Sequence, residues 1–255
     1  MIVRKLPGGK LLCIHQTSHA LMAHDFCRHW GNRDFARPEP NSIVLAAIAQ
    51  HDNGWTQWEQ HPALNDDGSP MDFLHGPDGV EKIALWQRGV DHAYAQHPYM
   101  AVLVGRHASL LYGEDSSSST VAFVARQQQL LTDMRQQFAG DPEMSAAFGD
   151  AAVVANTRIL QFGDSASLQV VIPWAESRTF ADCPIDSSGA TVAIKMRIEG
   201  DAVTFSPWPF DVAAFAVNIH GRLLSQQQFA HEREYHAALQ AAPIRTLRWS
   251  VVREL

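Results

Sequence analysis

The sequence predicts a mainly α protein. A helical core over residues 15–172 carries a small α+β appendage, formed by residues 173–255 and joined by an N-terminal hairpin over 1–14. Three observations predict this. Between residues 16 and 162 apolar residues recur at three- and four-residue spacing, as in amphipathic helices. After Pro173 the pattern changes to alternation, with Val192, Ile194, Met196 and Ile198 leading into a turn at Glu199-Gly200-Asp201 and resuming at Val203 and Phe205. At the start, two short apolar runs flank Pro7-Gly8-Gly9, a hairpin signal.

The elements follow in order. A first helix is expected over residues 16–30, stopped by Gly31-Asn32, and a Pro-rich, charged loop follows to Pro40. Asn41 or Ser42 can cap a second helix that runs to His51-Asp52. Residues 53–78 hold many Gly, Pro, Asp and Asn and read as a long irregular excursion, the kind of loop that often serves function. A third helix is expected from Asp78 to His97, and a fourth from Pro98, which suits a first helical turn, to Tyr112-Gly113. A polar linker covers 114–119. Two further helices are expected over 120–139 and 142–162, the latter broken by Gly163. The remaining strand candidates are 213–219 and 246–253, separated by a helix near 226–241, and an isolated hairpin at 1–14 gains stability by joining that sheet. No internal repeat is visible.

Composition narrows the function. A chain of 255 residues with 46% hydrophobic and 18% charged residues reads as an ordinary globular protein able to bury a sizeable core. The net charge is -7 and only four lysines are present, so no basic stripe exists and nucleic-acid binding is not expected. Cys13, Cys27 and Cys183 are odd in number and lack metal-binding spacing, which points to a reducing cytoplasm. No apolar run reaches the ~18 residues of a membrane span, and no secretory leader is recognised, so no membrane partner is expected. A small molecule is the expected partner, and monomer and homodimer both remain open. Histidine is the outlier: ten of the 13 lie before residue 108.

Helix faces sort these histidines. His19 shares a stripe with Met22, Ala23, Phe26 and Trp30, and His107 lies among Met100, Leu103, Val104, Leu110 and Leu111, so both point inward. Val44, Ala47 and Ile48 share the face of His51. Thr157, Leu160, Gln161 and Leu168 surround Asp164. One core-facing histidine is ordinarily a hydrogen-bonded structural residue. Several inward imidazoles and carboxylates on successive helices are costly unless paired or metal-bound, and one cation satisfies them together. The order His19, His51-Asp52, Asp164 is what a four-ligand nitrogen and oxygen site on a helix bundle needs, suited to Mn, Fe, Ni, Co or Zn. A second dipeptide, His24-Asp25, has only His15 upstream, too near for a separate ligand helix.

Five segments carry a resemblance: Ser18-His19-Ala20, the run from His51-Asp52 to Glu59, the run from Ala101 to His107, Leu160-Gln-Phe-Gly-Asp164-Ser-Ala-Ser-Leu168, and Pro207-Trp-Pro-Phe210. In these the chain resembles the HD-domain superfamily of metal-dependent phosphohydrolases, and within it a bacterial branch of HD-domain-like proteins. The resemblance implies an HD-domain-like helical core with His19, His51, Asp52 and Asp164 as metal ligands. It adds His75 and His107 for members that bind two ions, where Asp52 would bridge them. The default chemistry is then hydrolysis of a phosphate ester by a metal-activated water, with Asp52 at the reacting centre and Arg106 or Arg28 neutralising phosphate. Each arginine reads equally well as a solvated surface residue. Many HD phosphohydrolases keep lysines near the metal, and between residues 11 and 190 this chain has only Lys82. That departure brings in the di-iron oxygenases built on the same core as the runner-up. A non-catalytic metal- or ligand-binding regulatory module is the third reading. Trp55, Trp58 and Glu59 follow the His-Asp pair and can wall a pocket, although plain packing is the better explanation of the two tryptophans.

Overall fold

In a computed structural model the described residues are 1–112, 115–172 and 177–254. The end of the fourth expected helix and the start of the expected linker, residues 113–114, and the expected boundary between core and appendage, residues 173–176, lie outside them. The chain begins with the hairpin β1 (Ile2–Leu6) and β2 (Lys10–Ile14), then α1 (Gln16–Cys27) and α2 (Asn41–Gln50). A 3-10 turn at Asn53–Trp55 leads into the single turn α3 (Thr56–Glu59), followed by α4 (Gly79–Gln96), α5 (Pro98–Leu111), α6 (Ser118–Gln137), α7 (Pro142–Ala147) and α8 (Asp150–Val171). The C-terminal part supplies β3 (Ser177–Pro184), β4 (Thr191–Glu199), β5 (Ala202–Ser206), β6 (Ala214–Leu224), α9 (Glu232–Ala241) and β7 (Ile244–Val252).

All seven strands form one sheet in the order β1-β2-β6-β7-β5-β4-β3. The β5–β7 pair is parallel and the other pairs are antiparallel. The sheet curls into a half-barrel. The architecture is therefore α+β, which corrects the expectation of a mainly α, HD-domain-like core with a small appendage. The helical period is strong and contiguous, whereas the sheet draws its strands from both ends of the chain. One strand, β3, was not expected at all: Ser-Arg-Thr-Phe-Ala-Asp-Cys-Pro does not alternate, and a register shift between Phe180 and Cys183 breaks its two-residue pattern.

Period-two geometry puts the two faces of the sheet to different uses. On β2, Leu12 and Ile14 join a large core cluster that also holds Met22, Phe26, Val44, Leu103 and Leu160, so helices and sheet share one interior. Leu11 and Cys13 point the other way, into a smaller cluster with Tyr235 and Leu239 of α9. Aromatic rings seal the main contact: Phe26 meets Phe205 at 5.9 Å, Trp30 meets Phe162 at 4.9 Å, and Phe205 meets Phe210 at 5.3 Å. Such pairs contribute about 0.5–1.5 kcal/mol each beyond area burial. The Pro207–Phe210 segment is thus part of the helix-to-sheet packing.

Several helix ends differ from expectation. The first helix stops at Cys27, and Trp30 instead bridges to Phe210. Pro40 is the residue that precedes α2, without a side-chain cap from Asn41 or Ser42. His97 caps α5, its Nδ1 accepting from the Tyr99 amide, with Pro98 in the first turn. The expected 142–162 helix divides at Gly149, not at Gly163, and α8 runs through Gly163. A Cβ at Gly163 would lie 2.5 Å from Cys27 Sγ and 2.9 Å from the Ala23 carbonyl oxygen, so glycine there permits a close crossing of α1 and α8.

Candidate metal centre

The crossing that Gly163 permits places Asp164, its neighbour in sequence, opposite His19 on α1. His19 Nε2 lies 3.0 Å from Asp164 Oδ1 and 3.4 Å from Asp52 Oδ2. His51 is the residue where α2 ends, and Asp52 (φ -101°, ψ 14°) has left the helix, so both side chains turn to one side. His51 Nε2 stands 3.5 Å from both Asp52 Oδ2 and Asp164 Oδ1. The chain leaving this pair runs against α4 at Gly54, where a Cβ would fall 2.2 Å from the Leu85 carbonyl oxygen. His107 on α5 completes the group, its Nε2 3.9 Å from Asp164 Oδ2 and its ring edge-on to that of His51. All five residues are buried. Among the described residues, His19, His51 and Asp164 form a group whose ligand atoms all lie within 4.8 Å of one another.

The remaining hydrogen bonds fix the tautomers. His51 Nδ1 donates to the Ile48 carbonyl at 2.8 Å. The Ser167 hydroxyl donates to the Asp164 carbonyl at 2.8 Å, so its oxygen accepts from His19 Nδ1 at 2.7 Å. With Nδ1 of each ring engaged in these bonds, the Nε2 atoms face the carboxylates and are the positions that a cation would take in place of a proton, as in sites where the outer nitrogen of a ligating histidine is held by a second group. The 3.0 and 3.5 Å separations of His19 and His51 from Asp164 are close to the edge, roughly 3.4 Å, of a tetrahedron around an ion with bonds near 2.1 Å, and Asp52 flanks both imidazoles outside that closed group of three.

The electrostatics also demand a positive charge. Burial works against an imidazolium at His51, but the Asp52 and Asp164 carboxylates beside it outweigh burial and lift the group to about 9. Burial likewise opposes the Asp164 carboxylate, yet His19 and His51 hold it well below the ordinary range. At Asp52 burial wins and raises the carboxyl. Burial pushes His107 down to about 4, leaving a neutral imidazole. His51 Nε2 nonetheless has no hydrogen-bond partner. Charge is wanted where hydrogen-bond geometry is absent, and a coordinated cation reconciles the two.

The cluster opens onto a cavity of about 280 Å³ lined by His19, Asp52, His107 and Asp164 on one side. Trp55, Phe73, Trp86 and Tyr112 supply apolar walls, and Gln16 and Lys82 the other polar groups. Sequence reasoning passed over this place for Lys82. Its signal was present all the same, a lone lysine in a stretch of almost 180 residues. Burial lowers its ammonium, which donates to the Phe73 carbonyl at 3.3 Å. Glu59, considered as a wall, accepts from the Gln16 amide at 2.8 Å and pairs with the Met1 ammonium and His15.

Two expected site residues are elsewhere. His75 is exposed on the loop and bonds Asp72 at 2.7 Å. Arg106 lines a separate, smaller cavity between α5 and α6 with Ser109 and Gln127, because consecutive helical residues diverge by about 100° and His107 takes the inner face. Arg28 lies beside Asp25 at 3.4 Å.

No helix among the described residues is long and apolar enough to cross a membrane. Comparison with curated proteins and with solved structures gives no match. A family profile described as "Protein of unknown function (DUF3891)" matches residues 1–226. That match and the seven-stranded sheet correct the HD-domain resemblance: short ligand motifs fix a constellation of side chains, not the fold that presents it. The chain belongs to the DUF3891 family.

Proposed function

We propose that this chain is a metal-dependent hydrolase of small phosphate esters. The carrying observation is the buried set of His19, His51, Asp52 and Asp164, with both Nε2 atoms facing carboxylates, opening onto a cavity that a lysine also lines. His19, His51, Asp52 and Asp164 hold one divalent ion of Mn, Fe, Ni, Co or Zn, and His107 stands within reach of a second beside Asp164. Bound there, the ion lowers the pKa of its water and supplies hydroxide near neutral pH. The protein's own part is positional. Ser167 and the Ile48 carbonyl hold the two imidazoles in register. Asp52 and Asp164 face the cavity and are the carboxylates nearest a reacting phosphorus. Lys82, which lines the same cavity, neutralises the phosphate, and the aromatic side chains keep the site poor in water.

The experiment is elemental analysis of protein purified without chelator, followed by hydrolysis assays with p-nitrophenyl phosphate and bis(p-nitrophenyl) phosphate. Bound transition metal and hydrolysis, both lost in His51→Ala and Asp164→Asn, are expected. Failure to take up any of the five metals on reconstitution overturns the site. Metal without hydrolysis leaves a binding module, and iron with oxygen consumption redirects the chemistry to oxygenation.

A further inference from the structure

Buried polar atoms without hydrogen-bond partners are few, and each calls for an explanation. Among the described residues, Gln16, Trp55 and His107, which line this cavity, and His51 beside them each carry one. Besides the candidate metal ligands His51 and His107, the acceptor Gln16 Oε1 and the donor Trp55 Nε1 have no partner. Both residues are almost fully buried, Gln16 at 3% and Trp55 at 2% exposure, and both line the cavity. Their positions follow from helix geometry. Gln16 precedes His19 by three residues and Trp55 follows Asp52 by three, so each sits one turn from a residue of the cluster. An indole that served packing alone would gain from burying phenylalanine instead, since an unmade hydrogen bond at a buried donor costs about 1–3 kcal/mol. The same holds for an amide where leucine fits.

We infer that Gln16 and Trp55 determine specificity for a hydroxyl-bearing organic group on a small phosphate, Trp55 Nε1–H donating to a hydroxyl oxygen and Gln16 Oε1 accepting a hydroxyl proton. The inference rests on the proposed metal and phosphate site and names the substrate class it takes. A hydroxyl both donates and accepts, so one kind of group answers both orphaned atoms. The carbon skeleton of a polyol lies against Trp86 and Tyr112, and the phosphate occupies the end held by Lys82 and the His/Asp cluster. A cavity of about 280 Å³ sets the scale at a few carbons plus the phosphate. Sites built to hydrogen-bond a hydroxyl reject analogues that lack it far more strongly than apolar pockets reject a missing methylene.

The test uses two phosphates matched in skeleton, glycerol 2-phosphate and isopropyl phosphate, titrated calorimetrically into the metal-loaded protein. Glycerol 2-phosphate is expected to bind at least about tenfold more tightly, the equivalent of one good hydrogen bond. In Trp55→Phe and in Gln16→Leu, each checked for metal content, that ratio is expected to fall toward one. The two variants are independent, so a folding failure in one leaves the other decisive. Equal affinities in the wild type, a ratio unchanged in both variants, or binding of neither phosphate overturns the inference. A preserved preference with no hydrolysis of either phosphate supports it while the hydrolase reading falls.

Discussion

His24-Asp25 and His51-Asp52 are the same two residues in the same order, and they end in opposite surroundings. His24 and Asp25 sit within α1, both about 30% exposed, where the carboxylate lies 3.4 Å from Arg28 Nε and 3.9 Å from its own neighbour's imidazole. His51 and Asp52 are buried and converge with His19 and Asp164. The difference is where each pair sits on its helix. Inside a helix adjacent side chains diverge by about 100° and cannot share a cation. At residue 51 the helix ends, Asp52 takes a non-helical conformation, and the two side chains swing to one point. Backbone exit, not the dipeptide, makes a site.

The largest expected effect breaks this contrast directly. His51→Ala and Asp164→Asn should each lower metal affinity at least about 100-fold, whereas His24→Ala and Asp25→Asn should leave it within about twofold. Competition against a chelator with a metal-sensitive dye reads both. Metal loss in the His24→Ala variant would transfer the site to the wrong pair. Next comes Gly163→Ala. Its methyl meets Cys27 Sγ and the Ala23 backbone, and backbone gives way less readily than a flexible side-chain end. Overpacking of this kind costs about 1–3 kcal/mol. Gly140→Ala, with nothing within 4 Å of the new methyl, should change denaturant stability by less than about 0.5 kcal/mol. Metal affinity should fall with the first variant and not the second.

The pH dependence sharpens the same contrast. His51 is raised from 6.5 to about 9 because Asp52 and Asp164 outweigh its burial. A cation must displace that proton, so affinity should rise about tenfold per pH unit up to about 9 and level off above it. A raised imidazole also stabilises the metal-free fold fully below its unfolded pKa of about 6.5, and that contribution is lost as pH rises through 9. Tm of chelated protein should therefore drop across this window, and Tm of the loaded protein should not. A flat affinity profile from pH 6.5 to 9 would remove the proton from His51.

Periodicity in the sequence identified the inward faces of His19 and His107 and the helix end at His51, because those depend on local geometry alone. It also set Asp164 on one face with Thr157, Leu160, Gln161 and Leu168, although it read Gly163 as a helix break. A glycine that stops a helix and a glycine that lets another helix approach look alike until the partner, here Ala23 and Cys27, is known. The joining of the N-terminal hairpin to the C-terminal sheet was legible because an isolated hairpin is marginal, whereas strand β3 depends on pairing with β4 that its own non-alternating pattern does not show. Gln16 went unread and Lys82 was read only as a lone cation, because nothing in their sequence neighbours says that they line a cavity.

The smallest effect separates two cations, Arg106 and Lys82. Arg106 was, with Arg28, one of two arginines considered for phosphate, and as the neighbour of His107 it points about 100° away around α5, into another cavity. Lys82, counted as evidence against phosphate for being alone, lines the same cavity as His19, Asp52, His107 and Asp164. Lys82→Met keeps the apolar stem that covers the wall and removes only the charge. For a phosphate ester it should raise KM about tenfold, the value of one charge-assisted contact at a half-exposed group, with kcat changed less. Arg106→Met should leave both constants within about twofold. If the two variants exchange these effects, the phosphate enters from the α5–α6 side, and the cavity at Lys82 is not where the substrate lies.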